Sequence, residues 1–358
     1  MKLKDFYYDL PKNLIAQEPA RPRDSSRLLV LDKKTGEIEH KNFYNIINYL
    51  KKGDVLVLND SKVFPARLIG KKADTGGKIE VFLLPSIPTP LSRDKRSGGG
   101  AGGGGSTWQC LLGGKGRKEN LKINIGRDLK AEVLRKNKGG AWILKFNKPG
   151  KEMMKIVEKI GRIPLPPYIK RELSKSDKNN YQTIYADDKK IGSVAAPTAG
   201  FHFTPSLIKK IKKKGVRIEY ITLHVGLGTF APVKEDDITK HKMHAEIVEI
   251  KKEVAGRILK AKKEKRRIIA VGTTSTRSLE GCLAKNLNKT ISKITNFIYP
   301  GYKFKIIDAL ITNFHLPKST LLMLVSAFAG RRNINKAYQE AIKRKYRFYS
   351  YGDSMFIC

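Results

Sequence analysis

The run Asp308-Ala-Leu-Ile-Thr-Asn-Phe-His-Leu-Pro-Lys-Ser-Thr-Leu-Leu-Met-Leu constrains the fold more than any other stretch of this chain. Its first half is apolar and strand-like, and it ends on Asn313, Phe314 and His315. Pro317 breaks the strand, and Ser319 or Thr320 can cap a helix beginning near Leu321. A strand that runs into a capped helix belongs to an open α/β sheet. Polar groups at such a joint face the edge where these sheets bind ligands. Alone, the joint is equally well read as an Asn and a His tying down a turn.

The same joint recurs three times. In Ile268-Ile-Ala-Val-Gly-Thr-Thr-Ser-Thr-Arg a β-branched strand meets Gly272, the hydroxyls of Thr273 and Thr274, and Arg277 on the first turn of a helix. Glycine admits close backbone approach, and free N–H groups with hydroxyls suit an anionic or polyol ligand. In Ile218-Glu-Tyr-Ile-Thr-Leu-His-Val-Gly-Leu-Gly, His224 precedes Gly226 and Gly228. No third glycine opens a helix, so this is not a dinucleotide fingerprint. Gly192-Ser-Val-Ala-Ala-Pro-Thr-Ala-Gly-Phe-His-Phe-Thr-Pro supplies Thr198, then His202 between two aromatics, with Thr204 and Pro205 opening a basic helix. Four joints bearing His, Asn, Thr and Arg predict one polar site on an α/β sheet.

Further motifs lie between and around the joints. They include Asp9-Leu-Pro-Lys-Asn-Leu-Ile-Ala-Gln, Gly53-Asp-Val-Leu-Val-Leu-Asn-Asp-Ser-Lys-Val-Phe-Pro-Ala-Arg-Leu and Thr75-Gly-Gly-Lys-Ile-Glu-Val-Phe. Ile163-Pro-Leu-Pro-Pro-Tyr-Ile, His241-Lys-Met-His-Ala-Glu and Tyr349-Ser-Tyr-Gly-Asp-Ser-Met-Phe-Ile follow in order. Over nearly its whole length the chain resembles the S-adenosylmethionine:tRNA ribosyltransferase-isomerases of queuosine biosynthesis. The resemblance implies a layered α/β sandwich carrying a small β-barrel. It also implies transfer and isomerisation of the ribosyl group of S-adenosylmethionine onto 7-aminomethyl-7-deazaguanine at the tRNA wobble position, with release of adenine and methionine. S-adenosylmethionine would be the donor substrate, the anticodon loop of tRNA the partner, and no true cofactor is expected. Ala231 stands where the family generally carries a basic residue.

Such chemistry needs a base with a pKa near neutrality and groups that hold a ribose. His202, His224, His244 and His315 are the candidates for proton transfer. Asn313, Thr198, Thr273 and Thr274 suit ribose hydroxyls. Arg277 or Arg67 suits a carboxylate or phosphate, and Asp353, Asp60 or Glu80 a cationic amine. Tyr7, Tyr8, Tyr299 and Tyr302 are candidates for stacking on anticodon-loop bases, or for core and rim packing. His241 and His244 share metal-ligand spacing, but no third ligand follows and no metal is expected.

Composition bounds the rest. The 358 residues carry 72 basic against 33 acidic side chains, a formal charge of +39 that suits a polyanionic partner. Three scattered cysteines favour a reducing cytoplasm, and no apolar run is long enough for a membrane span. A monomer is expected. Short alternating strands with glycine turns between 66 and 149 predict an antiparallel β-barrel inserted into an α/β domain made of 1–65 and 150–358. A helix is predicted over Tyr44–Lys51. The segment 85–106, ending in a Gly-rich run, reads as a flexible loop. Two other classes compete: a non-catalytic RNA-binding protein, which would bind tRNA without releasing adenine, and an RNA methyltransferase, whose glycine-rich Rossmann turn is missing. Replacing Ser92 to Ser106 by a short turn is expected to leave enzymatic turnover within about twofold, since loop-closure entropy changes slowly with length.

Overall fold

The computed structural model describes residues 1–85, 105–137, 139–226, 233, 235–243, 245–284 and 290–358. In chain order the strands begin with β1 (Arg27–Leu31), β2 (Ile38–Asn42), β3 (Val55–Asn59) and β4 (Lys62–Val63). Then come β5 (Arg67–Lys72), β6 (Lys78–Leu83), β7 (Ser106–Gly113), β8 (Lys122–Ile125), β9 (Leu129–Lys136) and β10 (Trp142–Phe146). The remainder are β11 (Ile191–Ser193), β12 (Arg217–His224), β13 (Glu246–Glu249), β14 (Ile268–Val271), β15 (Ile291–Ile294), β16 (Ala309–Asn313) and β17 (Ser354–Ile357). The helices are α1 (Ile46–Tyr49), α2 (Gly150–Ile160), α3 (Asp177–Asn180) and α4 (Pro205–Lys213), then α5 (Lys252–Lys263), α6 (Gly272–Cys282), α7 (Thr320–Ala329) and α8 (Arg331–Lys343).

A nine-stranded sheet runs in the order β15-β13-β12-β3-β14-β16-β17-β1-β2. Its centre, β12-β3-β14-β16, is parallel, and β17 then pairs antiparallel with β16. Side chains alternate across a strand, so each central strand serves two cores. Leu29, Val55, Val57, Ala270 and Leu310 pack on the face covered by α5 to α8. Their neighbours Leu28, Leu56, Leu58, Val271 and Ile311 pack on the other face, with α4 and α1. This is why these strands read as continuous apolar runs and why the sheet is a three-layer sandwich.

Strands β5 to β10 close a six-stranded antiparallel barrel in the order β10-β7-β6-β5-β8-β9. Inward Leu68, Val81, Ile123, Val133 and Leu144 fill it, and Met153 and Val157 of α2 pack against them. The helix expected over 44–51 is shorter. A 3₁₀ turn leads into α1, and the chain extends at Leu50 to bury that side chain before Gly53 turns it with φ +92°. No helix among the described residues is long and apolar enough to cross a membrane. The Gly-rich segment lies outside the described residues, apart from its edges.

Where the chain enters and leaves the barrel, Arg67 and Arg162 exchange both backbone hydrogen bonds, at 3.2 and 2.9 Å. The crossing brings the carbonyls of Pro65 and Val157 against Gly161, where a Cβ would stand 2.2 and 2.5 Å from their oxygens. Gly161→Ala should therefore force the crossing apart and destabilise the fold by at least about 1–3 kcal/mol, the usual cost of overpacking. Thermal or urea unfolding reads this directly.

Candidate active site

Parallel pairing of β14 with β16 brings Val271 opposite Ile311, so both strands end at one edge of the sheet. Beyond β14, Gly272 turns the chain with φ +89°, a conformation open to glycine, and α6 starts at once. Beyond β16, Phe314 is fully buried with ring centroids 5.3 Å from Tyr338 and 4.9 Å from Phe348. Ser319 then caps α7, its hydroxyl accepting from the Leu322 amide at 3.2 Å. Between these two joints and the small residues of 195–199 lies a cavity of about 340 Å³. That is within the roughly 300–1,000 Å³ of small-molecule sites.

Two hydrogen-bonded chains shape its wall. In the first, the Thr198 hydroxyl donates to Asn313 Oδ1 at 2.9 Å, and Asn313 Nδ2 lies 3.1 Å from His202 Nε2. The amide nitrogen can only donate, so Nε2 accepts and His202 carries its proton on Nδ1, 2.7 Å from Ser26 Oγ. Burial, reinforced by the Arg347 and Arg23 charges, lowers the His202 pKa to about 3. His202 therefore stays neutral, does not line the cavity, and holds the Asn313 amide from behind.

In the second chain, His315 Nε2 is 2.9 Å from Thr312 Oγ1. The His315 amide donates to the Tyr338 hydroxyl at 2.9 Å, and the Tyr8 hydroxyl donates to the His315 carbonyl. Ring and backbone are both held. His315 lines the cavity, and its Nδ1 has no hydrogen-bond partner among the described residues. Burial lowers its pKa to about 3, well below the neutrality expected of a base. Thr273 and Thr274 also line the cavity, and the buried Thr274 hydroxyl has no partner among the described residues.

The cavity thus unites His315, Asn313, Thr198, Thr273 and Thr274, with His202 one hydrogen bond behind. The other candidates lie elsewhere. His224 ends β12, where alternation turns Val225 toward the cavity and the His224 ring toward Gly192. Arg277 is on the second turn of α6, about 6 Å along the axis from Thr273. It is buried in an ion pair with Glu246 and donates to the Asn296 carbonyl at 3.2 Å. Arg67 and Glu80 satisfy each other across the barrel strands at 2.8 and 2.9 Å. Asp60 accepts from Thr222 at 2.6 Å in a separate groove, and burial raises its pKa. Asp353 is enclosed by Arg27 and Arg347. Tyr299 packs on Phe297, and Tyr302 donates to Glu280 at 3.1 Å. His244 and Ala231 fall outside the described residues. Among those residues, no group of three or more His, Cys, Asp or Glu is placed to hold a metal.

Thr312, Ser26, Tyr338 and Tyr8 as a hydrogen-bond donor were not singled out from sequence. Thr312 directly precedes Asn313 at the end of β16, so its place beside the joint is a local signal. Ser26 stands 176 positions from His202, and Tyr338 sits on α8, 23 positions beyond His315, where the helix pattern reads it as a core residue.

An α/β sandwich with a largely apolar cavity, bearing a few convergent polar groups at the carboxyl ends of adjacent parallel strands, has the small-molecule site typical of this class of fold. The chain belongs to the family described as queuosine biosynthesis protein, whose model matches residues 3–357. It is 54% identical, over 100% of both chains, to the S-adenosylmethionine:tRNA ribosyltransferase-isomerase of a Sulfurihydrogenibium species. It is 50% identical, again over full length, to the enzyme of that name from Acetivibrio thermocellus. A crystal structure of S-adenosylmethionine tRNA ribosyltransferase from Thermotoga maritima matches with TM-score 0.54 and 38% identity, covering 99% of this chain and 100% of that one.

The neutral histidines set a pH dependence. An unfolded chain takes up the His202 proton near pH 6.5, whereas the folded one resists it down to about pH 3. Stability is therefore full above pH 6.5 and falls as the pH drops between those values. At pH 5 the His202 contribution has cost about 2 kcal/mol. His202→Gln should remove that share of the difference in unfolding free energy between pH 8 and pH 5, measured by urea titration at both.

Proposed function

We propose that this chain is a cytoplasmic S-adenosylmethionine:tRNA ribosyltransferase-isomerase whose reaction takes place in the cavity between β14 and β16. It moves the ribosyl group of S-adenosylmethionine onto 7-aminomethyl-7-deazaguanine at the tRNA wobble position, giving epoxyqueuosine in tRNA, adenine and methionine. The observation that carries this reading is the wall itself: a neutral imidazole with an open nitrogen beside an amide and hydroxyl network. Neutral histidines do not repel a sulfonium, and the Thr198–Asn313 pair with Thr273 and Thr274 offers partners for ribose hydroxyls.

The sulfonium acidifies the neighbouring ribose C5′ protons. His315 takes one at Nδ1, with Nε2–H donating to Thr312, and an anionic group of the bound substrate raises its pKa toward the working range. The ylide expels adenine, which receives the proton from the imidazolium. The aminomethyl nitrogen of the RNA base bonds to the activated ribosyl skeleton and passes its proton to the regenerated neutral His315, and methionine leaves as a neutral thioether when a ribosyl alkoxide displaces it to close the epoxide.

The positive charge suits tRNA. Of the lysine clusters, Lys262 is paired with Asp308 at 2.6 Å and Arg266 with Glu264 at 3.3 Å. On α4, Lys209, Lys210, Lys212 and Lys213 carry no ion pair among the described residues, which makes that helix the better candidate for phosphate contact.

Incubation with S-adenosylmethionine and tRNA bearing the aminomethyl base is expected to release adenine and methionine in equal amounts. S-adenosylhomocysteine with a methylated RNA would overturn the assignment. His315→Ala should lower kcat by about 10²-fold or more, with its melting temperature little changed. Near-normal turnover with a lowered melting temperature would assign His315 to structure.

A further inference from the structure

Lys318 lies three residues beyond His315, on the wall of the same cavity, and its ammonium reaches solvent. Its φ of +58° is a left-handed conformation that side-chain-bearing residues rarely adopt. The Lys318 amide donates to the Phe6 carbonyl at 2.8 Å, which ties the N-terminal 3₁₀ turn to the loop behind His315. That tie sets two consecutive tyrosines to opposite uses. Tyr8 turns inward and donates to the His315 carbonyl. Tyr7 turns outward with 58% of its surface exposed, and Lys318 Nζ stands 5.1 Å from its ring centroid.

We infer that Tyr7 and Lys318 form the docking element for single-stranded RNA at the cavity mouth. Tyr7 stacks on the unpaired base next to the modified nucleotide, and Lys318 meets the phosphate between them. This rests on the ribosyl-transfer reading of the same cavity. A base that must enter a cavity leaves its stack, and its neighbour then needs a new surface. An exposed aromatic face beside a cation is the usual protein substitute, because any base stacks on it and the phosphate finds a counter-charge. The rigid tie from Phe6 to Lys318 places that substitute on the loop that carries His315.

The test uses an anticodon stem-loop carrying 2-aminopurine on either side of the target nucleotide. Binding to the wild-type protein should quench the fluorescence at one of the two positions. Tyr7→Ala should abolish that quench and weaken the stem-loop Kd by roughly 5- to 150-fold, the worth of one stacked base. Tyr7→Phe and Tyr7→Trp should both keep the quench and stay within about threefold of wild type, since stacking needs the ring and not the hydroxyl. Lys318→Met should flatten the salt dependence of log Kd by about 0.7 while keeping the quench. S-adenosylmethionine binding without RNA, read by thermal shift, should be unchanged in the three Tyr7 variants, since Tyr7 lies outside the cavity lining. Wild-type affinity and quench in Tyr7→Ala, or equal losses in Tyr7→Phe, would overturn the assignment. Failure of the wild-type protein to release adenine would instead overturn the ribosyl-transfer reading, independently of the stem-loop result.

Discussion

The candidate site of this molecule depends on the parallel pairing of β14 with β16. Parallel neighbours end at the same edge of a sheet, so Gly272 and Asn313 emerge side by side although 41 positions separate them in the chain. An antiparallel partner would have sent one of them to the far edge. The pairing is secure because both strands are buried on both faces, and their alternating side chains belong to two different cores. A slip of one residue would exchange the two sets and expose neither core to a matching layer.

The cavity wall is then held by groups with little freedom of their own. Asn313 is fixed between Thr198 and His202, and the tautomer of His202 is dictated by the amide it serves. His315 is held at its ring by Thr312 and at its backbone by Tyr338 and Tyr8. Both imidazoles are kept neutral by burial in a chain whose formal charge is +39. Such preorganisation lets a site recognise a ligand without spending interaction energy on ordering itself.

The charged residues divide differently. Arg277, Arg67, Glu80 and Asp353 all carry the charges that substrate recognition would use, yet each is engaged by a nearby opposite charge. For buried Arg277 and Asp353 the reason is electrostatic: an unpaired charge at such depth costs far more than a paired one. Exposed Lys318 escapes that rule because its ammonium stays in solvent.

The sequence by itself determined the kinds of element and the joints between them. Apolar runs ending in Thr-Asn-Phe-His and Gly-Thr-Thr mark strands that stop at polar turns, and hydroxyls before the next periodic segment mark helix caps. These signals are local, because propensity, capping and glycine geometry act within a few residues. The short alternating strands between 66 and 149 likewise announced an antiparallel barrel, which closes over β5 to β10. Tertiary structure decided which histidine faces the cavity. His202 and His315 sit in equally plausible motifs, yet one backs Asn313 while the other lines the cavity. His224 is turned away by the alternation of a single strand. Ser26 and Tyr8 reach their histidines across 176 and 307 positions, and Tyr338 reaches His315 from a separate helix, so no local pattern encodes these partners.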